Sequence, residues 1–203
     1  MPLTKLKKQG IMVIGSHNSW SYLRPKKWWM RLIAFAAKCQ RVDIKKQYEL
    51  GVRCFDLRLR FKRHMDMEIA HGPVVYDLTG FFAGQDLYFL DQKGDCYVRV
   101  IHEVRTEEQY TKTAVELFQA ECEGIERRFK NIQFWCGRNL YNWERDYTFK
   151  GDEPTCQETY GSVVPGKKWL YGWWPWLYAR IHNRKIREQG TDKDILLIDY
   201  VDI

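Results

Sequence analysis

Long apolar runs are missing from this sequence. No stretch approaches the roughly 20 consecutive apolar residues that a membrane-spanning helix needs, so nothing in it is expected to cross a bilayer. The opening MPLTKLKKQG is basic, and the run after it, IMVI, is far shorter than the core of a secretory signal. No cleavable signal is therefore expected, which points to a cytoplasmic or peripheral-membrane location. Also absent are a CxxC pair and any cysteine spacing that builds a zinc site. The six cysteines, at 39, 54, 96, 122, 136 and 156, are read as buried free thiols, with their even count leaving disulfides open. There is no internal repeat, no low-complexity segment, and no basic stripe or recognised RNA or DNA motif, which removes nucleic acid as the expected partner. Acidic residues are in the minority, 26 against 33 lysines and arginines. The resulting charge of +7 favours anionic partners such as phosphate groups or an acidic bilayer.

What is present suffices for one substantial core: 45% of 203 residues are hydrophobic, too few for two comfortable domains, so a single domain over 1–203 is expected. The runs IMVIG (11–15), VRCFDLRLRF (52–61), EIAHG (68–72), YVRVIHEV (97–104), IQFWCG (132–137), KKWLYGW (167–173) and DILLIDYV (194–201) each read as a strand. Helical patterns lie between them. Asp43 is placed to cap IKKQYELG, which closes on Gly51, and Thr106 with Gln109 reads as a capping box for a longer helix ending near Phe129. Strand, helix, strand in repeated order implies parallel strands, in a barrel or a doubly wound sheet. The polar residues favour the barrel. His17, Arg58, His71, Glu103 and Asp199 each fall at or near the C-terminal end of a separate strand, where a (β/α) barrel assembles its active site, whereas a doubly wound sheet uses one or two crossover points. The expected fold is α/β, a distorted or incomplete TIM-like (β/α) barrel.

Two histidines, an arginine and carboxylates on one rim suit phosphodiester cleavage. One neutral imidazole removes a proton from an attacking hydroxyl while a second, protonated, supplies one to the leaving oxygen, and arginine holds the phosphate between them. Each residue alone has a plainer explanation. A lone histidine beside an apolar run is more often structural, and Asp56 with an arginine on the same strand face suits an ordinary ion pair. The joint occurrence of G-S-H-N-S, F-D-L-R and A-H-G-P in this order is what favours a site.

SHNSW, GVRCFDLRLRF, IAHGPVVYD and ILLIDYV resemble the X-domain core of phosphatidylinositol-specific phospholipases C, most closely the bacterial, metal-independent kind, in order from about residue 11 to residue 201. The resemblance implies cleavage of a phosphatidylinositol-type lipid by intramolecular attack, giving diacylglycerol and a 1,2-cyclic phosphate. It implies His17 as general base, His71 as general acid, Arg58 on the phosphate, Asp199 orienting His17, and Asp56 supporting His71 and the phosphate-binding network. Asn18, His102 and Glu103 fall among the implied substrate contacts. No metal or other cofactor is expected, because calcium-dependent relatives carry an acidic residue at the place of Arg58, and a guanidinium there replaces and repels the ion.

Departures from the family pattern are specific. Asn18 stands where the simple bacterial enzymes tend to have aspartate and the calcium-dependent branch has asparagine. His102 precedes Glu103 where the bacterial family has lysine, and Tyr171, Gly172 and Trp173 follow GKKWL where basic head-group contacts are usual. The chain ends soon after Asp199, so the closing helix of the bacterial enzymes is expected to be missing. Two segments combine basic and aromatic residues: LRPKKWWMRLIAFAAKCQ, with Lys26, Lys27, Trp28 and Trp29, and KKWLYGWWPWLYARIHNRK, with Trp173 and Trp174. They are expected to border the site and meet a membrane surface, lysine facing anionic lipid and tryptophan at headgroup level. Two other readings remain open: a glycerophosphodiesterase-like enzyme, which F-D-L-R opposes, and a catalytically silent phosphoinositide- or membrane-binding module, which has no use for two proton-transfer groups.

Overall fold

The computed structural model describes residues 12–61, 67–77, 83–138, 145–158 and 174–203. Its first strand, β1 (Val13–Ser16), leads through His17 and Asn18 into a 3-10 turn (Ser19–Tyr22). Asn18 is left-handed (φ 44°, ψ 58°), a conformation that asparagine tolerates through its short polar side chain. Helix α1 (Met30–Ile33) continues as a 3-10 turn (Ala34–Ala36) and is followed by α2 (Ile44–Glu49). As expected, Asp43 caps α2 by accepting from the Lys46 N–H, and Gly51 lies just past its end at φ 92°. Then come β2 (Cys54–Phe61), β3 (Met67–His71), β4 (Val74–Val75), α3 (Ala83–Lys93), β5 (Tyr97–His102), α4 (Lys112–Arg128), β6 (Gln133–Cys136), β7 (Cys156–Glu158), α5 (Pro175–Gln189) and β8 (Ile195–Ile198). The strands expected from residues 11, 52, 68, 97, 132 and 194 are present with trimmed ends. The one expected over 167–173 lies outside the described residues, and β7 has no counterpart in the sequence reading.

The parallel strands run in the order β7-β8-β1-β2-β5-β6 and curl into an open half-barrel. Among the described residues β6 and β7 form its two ends and do not pair with each other. β3 corrects the all-parallel expectation. It runs antiparallel to the end of β2, with Leu59 opposite Ile69 and Phe61 opposite Met67, and then turns back into β4. Only residues 62–66 join β2 to β3, too short a link for a parallel crossover, which needs a dozen or more residues.

Strand alternation separates the molecule into an outer and an inner layer. Phe55, Leu57, Leu59 and Phe61 of β2, Val98 and Val100 of β5, and Leu196 and Ile198 of β8 join the large core beneath the helices. Helix α4 covers it with the stripe Ala114, Phe118, Cys122 and Ile125. Fully burying a side chain such as Phe118 contributes about 1.5–3 kcal/mol. The expected cap of this helix is corrected. Thr111 is its N-cap, accepting from the Ala114 N–H at 3.2 Å, while Gln109 closes a separate turn by accepting from the Arg105 N–H at 3.0 Å.

The opposite strand faces line the barrel interior, whose floor is apolar: Val13, Cys54, Tyr97, Trp135, Ile195 and Leu197. Two or four residues further along each strand the interior turns polar, at His17, Asp56, Arg58, Arg99, Glu158 and Asp199. Gly15 sits at the crowded step between the two. A Cβ there would lie 2.4 Å from Leu197 Cδ2 and 3.0 Å from Cys54 Cβ. All six cysteines are unpaired, five of them buried.

Candidate active site

Along their inner faces the strands turn from apolar floor residues to polar ones, as β2 does from Cys54 to Asp56 and Arg58, so the strands that build the floor also deliver the charged groups to the C-terminal mouth. His17 leaves β1 and receives Asp199, just past β8, at Nδ1: the Nδ1···Oδ1 distance is 2.7 Å. On its other side Arg58 Nη2 lies 2.8 Å from Nε2. A guanidinium only donates, so Nε2 accepts here and the ring proton sits on Nδ1 facing the carboxylate. Burial lowers the His17 pKa, but Asp199 outweighs it, with help from Glu158 and against Arg58, and the net is a raised value.

Arg58 is held at three points: Nε donates to Asp56 Oδ2 at 2.9 Å, Nη1 to Glu103 Oε2 at 3.3 Å, and Nη2 to His17. Asp56 turns its other oxygen to Arg99 Nε at 2.8 Å and accepts the Asn18 N–H at 2.9 Å. Arg99 in turn meets Glu158 Oε1 at 2.6 Å. Burial alone would raise the Asp56 pKa, yet the two guanidiniums hold it far below the usual carboxylate range. Glu103 is likewise lowered, chiefly by Arg58 against the cost of its burial. Its second oxygen accepts the Gly72 N–H at 2.8 Å, which ties Arg58 to the strand end carrying His71.

His71 ends β3 and stands edge-on to His17, with ring centroids 5.4 Å apart and planes at 87°. Its Nδ1 donates to the Ala37 carbonyl at 2.8 Å. Burial, Arg58 and His17 push its pKa down to about 4. The two imidazoles and Asp199 line a cavity of about 470 Å³ whose remaining wall is largely apolar and includes Ile33, Ala36 and Pro175.

The structure thus brings His17, Arg58, His71, Glu103 and Asp199 together. It departs from the sequence reading at three residues. Asp56 is held among the guanidiniums, bonding Arg58 and Arg99 as its expected place in the phosphate-binding network requires, but it does not orient His71, which a backbone carbonyl does instead. Asn18 is fully buried, its side-chain amide 3.4 Å from the Ala37 oxygen, so it organises the turn and does not face the cavity. His102 points away from the mouth: strand parity sets it opposite Arg99, where it bonds Asp146 at 2.8 Å and stacks on Phe118 at 4.8 Å.

Arg99 and Glu158 went unnoticed in the sequence, although an arginine amid YVRVIH carried a usable signal, since it breaks an apolar strand at an inward position. Gln40 was also missed. It is fully buried, its Nε2 donates to the carbonyls of His17 (3.1 Å) and Ile198 (2.9 Å), and its Oε1 accepts the Val201 N–H (3.1 Å). It thereby clamps the loops of His17 and Asp199 together. Asn183 on α5 adds bonds to the Asp199 and Tyr200 carbonyls at 2.8 and 3.1 Å.

Around the mouth Lys26, Lys27, Trp28 and Trp29 are exposed, Trp28 at 72%, and Leu32 and Phe35 continue the apolar surface. Lys26 pairs with Glu68 at 3.2 Å. Phe35 stacks on the half-exposed Trp174 at 6.2 Å, so the two aromatic segments meet beside the cavity. Trp173 lies outside the described residues. Among the described residues no helix is long and apolar enough to cross a membrane. Among the described residues one group could hold a metal ion: His17, Cys39 and Asp199 each offer a ligand atom within 4.8 Å of the others.

No family model and no curated protein matches the chain. Solved structures do. A phosphatidylinositol-specific phospholipase C from Listeria monocytogenes superposes with a TM-score of 0.58 at 15% identity, over 93% of this chain and 87% of the other. A double mutant of the Staphylococcus aureus enzyme of that name gives 0.56 at 16% identity, over 93% and 84%. A structure concerned with modulating membrane binding of the S. aureus enzyme gives 0.54 at 15%, over 93% and 85%. At these identities the likeness establishes the fold, a TIM-like barrel curled into an incomplete ring.

Proposed function

We propose that this chain is a phosphodiesterase that cleaves phosphatidylinositol-type lipids by internal attack, releasing diacylglycerol and a 1,2-cyclic inositol phosphate. The reading rests above all on two imidazoles whose centroids are 5.4 Å apart across one cavity, with a guanidinium 2.8 Å from the first. His17, neutral with its free lone pair at Nε2, takes the proton of the inositol 2-hydroxyl as that oxygen attacks phosphorus. Arg58 Nη2 exchanges Nε2 for a phosphate oxygen and offsets the charge that grows there. The bond to the diacylglycerol oxygen breaks, and His71 supplies the proton that this oxygen takes up. Asp199 stabilises the imidazolium formed on His17.

The proton inventory of the free site runs against these roles, since His17 holds a proton more readily than His71. An anionic diester between the rings changes this, because its charge favours protonation of His71, the ring with the depressed pKa. Arg58 supplies a permanent positive charge at the phosphate, and the first step consumes no water, so the scheme needs no metal-activated hydroxide. The neighbouring fold, borne by phospholipases of this specificity, supports the same substrate class. The lysines and aromatics beside the cavity supply a surface for peripheral docking on anionic bilayers.

The test is phosphorus NMR of products from phosphatidylinositol vesicles, with chelator present. The cyclic phosphate should appear, and His17→Ala and His71→Ala should each abolish it. Full activity in either variant, or a strict calcium requirement, would refute the assignment.

A further inference from the structure

The thiol of Cys39 stands at the same mouth and has no part in the proton transfers above. It is 1% exposed, lines the cavity, and its Sγ lies 3.7 Å from His71 Nδ1. The Cys39 N–H donates to Ser21 Oγ at 2.9 Å, and its carbonyl accepts the Tyr200 N–H at 2.6 Å. Tyr200 directly follows Asp199, so a backbone bond ties the thiol to the carboxylate that serves His17. We propose that His17, Cys39 and Asp199, whose ligand atoms lie within 4.8 Å of one another, form a binding site for a soft divalent cation, zinc being the best match, that His71 completes it by turning its Nδ1 from the Ala37 carbonyl to the ion, and that occupancy switches the site off.

Tetrahedral zinc bonds sulfur at about 2.3 Å and imidazole nitrogen at about 2.0–2.1 Å, which sets the sulfur–nitrogen edge at about 3.6 Å. Cys39 and His71 already stand at 3.7 Å. His17 and Asp199, now sharing a proton at 2.7 Å, open by about 0.7 Å to straddle the ion, as the same bond lengths require. The proton balance is definite. The Cys39 proton leaves to solvent, and each imidazole moves its proton from Nδ1 to Nε2. Arg58 then loses its acceptor on His17, and Glu158, 4.0 Å from Nη2, takes that place. One proton is released per ion, so binding strengthens as pH rises. Thiolate and carboxylate together neutralise the dication, and the sulfur–nitrogen ligand set favours zinc over calcium or magnesium, which take oxygen ligands. Arg58 stands at the Nε2 edge of His17, opposite the Nδ1 edge where the ion would sit. A bound ion occupies Asp199 and puts a proton where the base needs a lone pair.

The site rests on geometry alone, while its inhibitory effect rests on the function proposed above. The experiment separates the two. Metal-free protein titrated with Co²⁺ should develop a thiolate-to-cobalt charge-transfer band that saturates at one equivalent and is bleached by zinc. Cys39→Ser should abolish the band and weaken zinc, measured against a chelating dye, by about tenfold or more, as expected for loss of a soft ligand. X-ray absorption of the zinc-loaded native protein should report one sulfur at about 2.3 Å beside lighter ligands at about 2.0–2.1 Å; this arm decides if the serine variant does not fold. Absence of the band, an undiminished band in Cys39→Ser, or a zinc shell without sulfur overturns the site. Cleavage that continues at one bound equivalent of zinc overturns the switch. A cobalt band in a protein that cleaves no lipid with or without metal supports the site and rejects the phosphodiesterase.

Discussion

Replacing Asp199 by asparagine isolates one charge at the heart of the site. The carboxylate is 2% exposed and lies 2.7 Å from His17 Nδ1. Asparagine keeps the shape and an acceptor oxygen, and Asn183 and Gln40 still hold the backbone. What disappears is the charge that outweighs burial and Arg58 in raising the His17 pKa. The ring should then titrate below the ordinary imidazole value and become a weaker base. A hydrogen bond to a charged group is worth about 1.5–3 kcal/mol, which corresponds to a loss in kcat/KM of roughly 10- to 150-fold. The assay is kcat/KM against pH on a short-chain soluble substrate, paired with NMR titration of the imidazoles. In the native free protein His17 holds its proton more readily than His71, so the limb on which kcat/KM falls as pH rises belongs to His17, and in Asp199→Asn that limb should move to lower pH while the plateau falls. A lowered plateau with an unmoved limb would mean that Asp199 does not set the basicity of His17. An unchanged plateau would remove it from the mechanism.

Arg58→Lys keeps a cation among Asp56 and Glu103 but loses the planar fork, so folding should survive while kcat falls by roughly 10²–10³, the usual cost of losing a transition-state donor; near-native kcat would show that the fork is not used. The depressed His71 pKa, about 4, makes the fold favour the neutral ring. This stabilisation is whole above the ordinary value and is lost as pH falls from about 6.5 to about 4, amounting to about 3 kcal/mol. His17, with a raised pKa, has the opposite sign. Urea unfolding of His71→Gln should therefore show a flatter acid-side decline than the native protein, and parallel curves would contradict the assignment. Trp28→Ala combined with Phe35→Ala should weaken vesicle binding by roughly 100-fold or more, from about 1.5 kcal/mol or more for each of the two large apolar side chains withdrawn from the interface, while sparing hydrolysis of a soluble substrate; equal losses on both would refute membrane docking.

Much of the scaffold was legible because its signals are local. Alternating residues in CFDLRLRF mark a strand with an apolar outer face and a charged inner one, and Asp43 with Gly51 marks the two ends of a helix. The same rule of alternation, applied from Arg99, would have turned His102 toward the helices. The antiparallel β3 was legible too, in the shortness of its link to β2. Thr106 and Gln109 misled because capping-box spacing also suits a free-standing turn.

By itself the sequence determined most of the strands, β4 and β7 apart, which of their faces is charged, and that His17, His71 and Asp199 stand at strand ends with Arg58 on a charged inner face, since side-chain period and turn chemistry are properties of neighbouring residues. Only the tertiary structure decided the rest. It set the Ala37 carbonyl against His71, wedged Gln40 between the loops of His17 and Asp199, 182 residues apart, joined Asp56 to Arg99, and brought Cys39 to the imidazoles. A backbone carbonyl has no letter in the sequence, and a contact between distant residues has no period. Both arise only when the strands close into a barrel and their C-terminal ends converge.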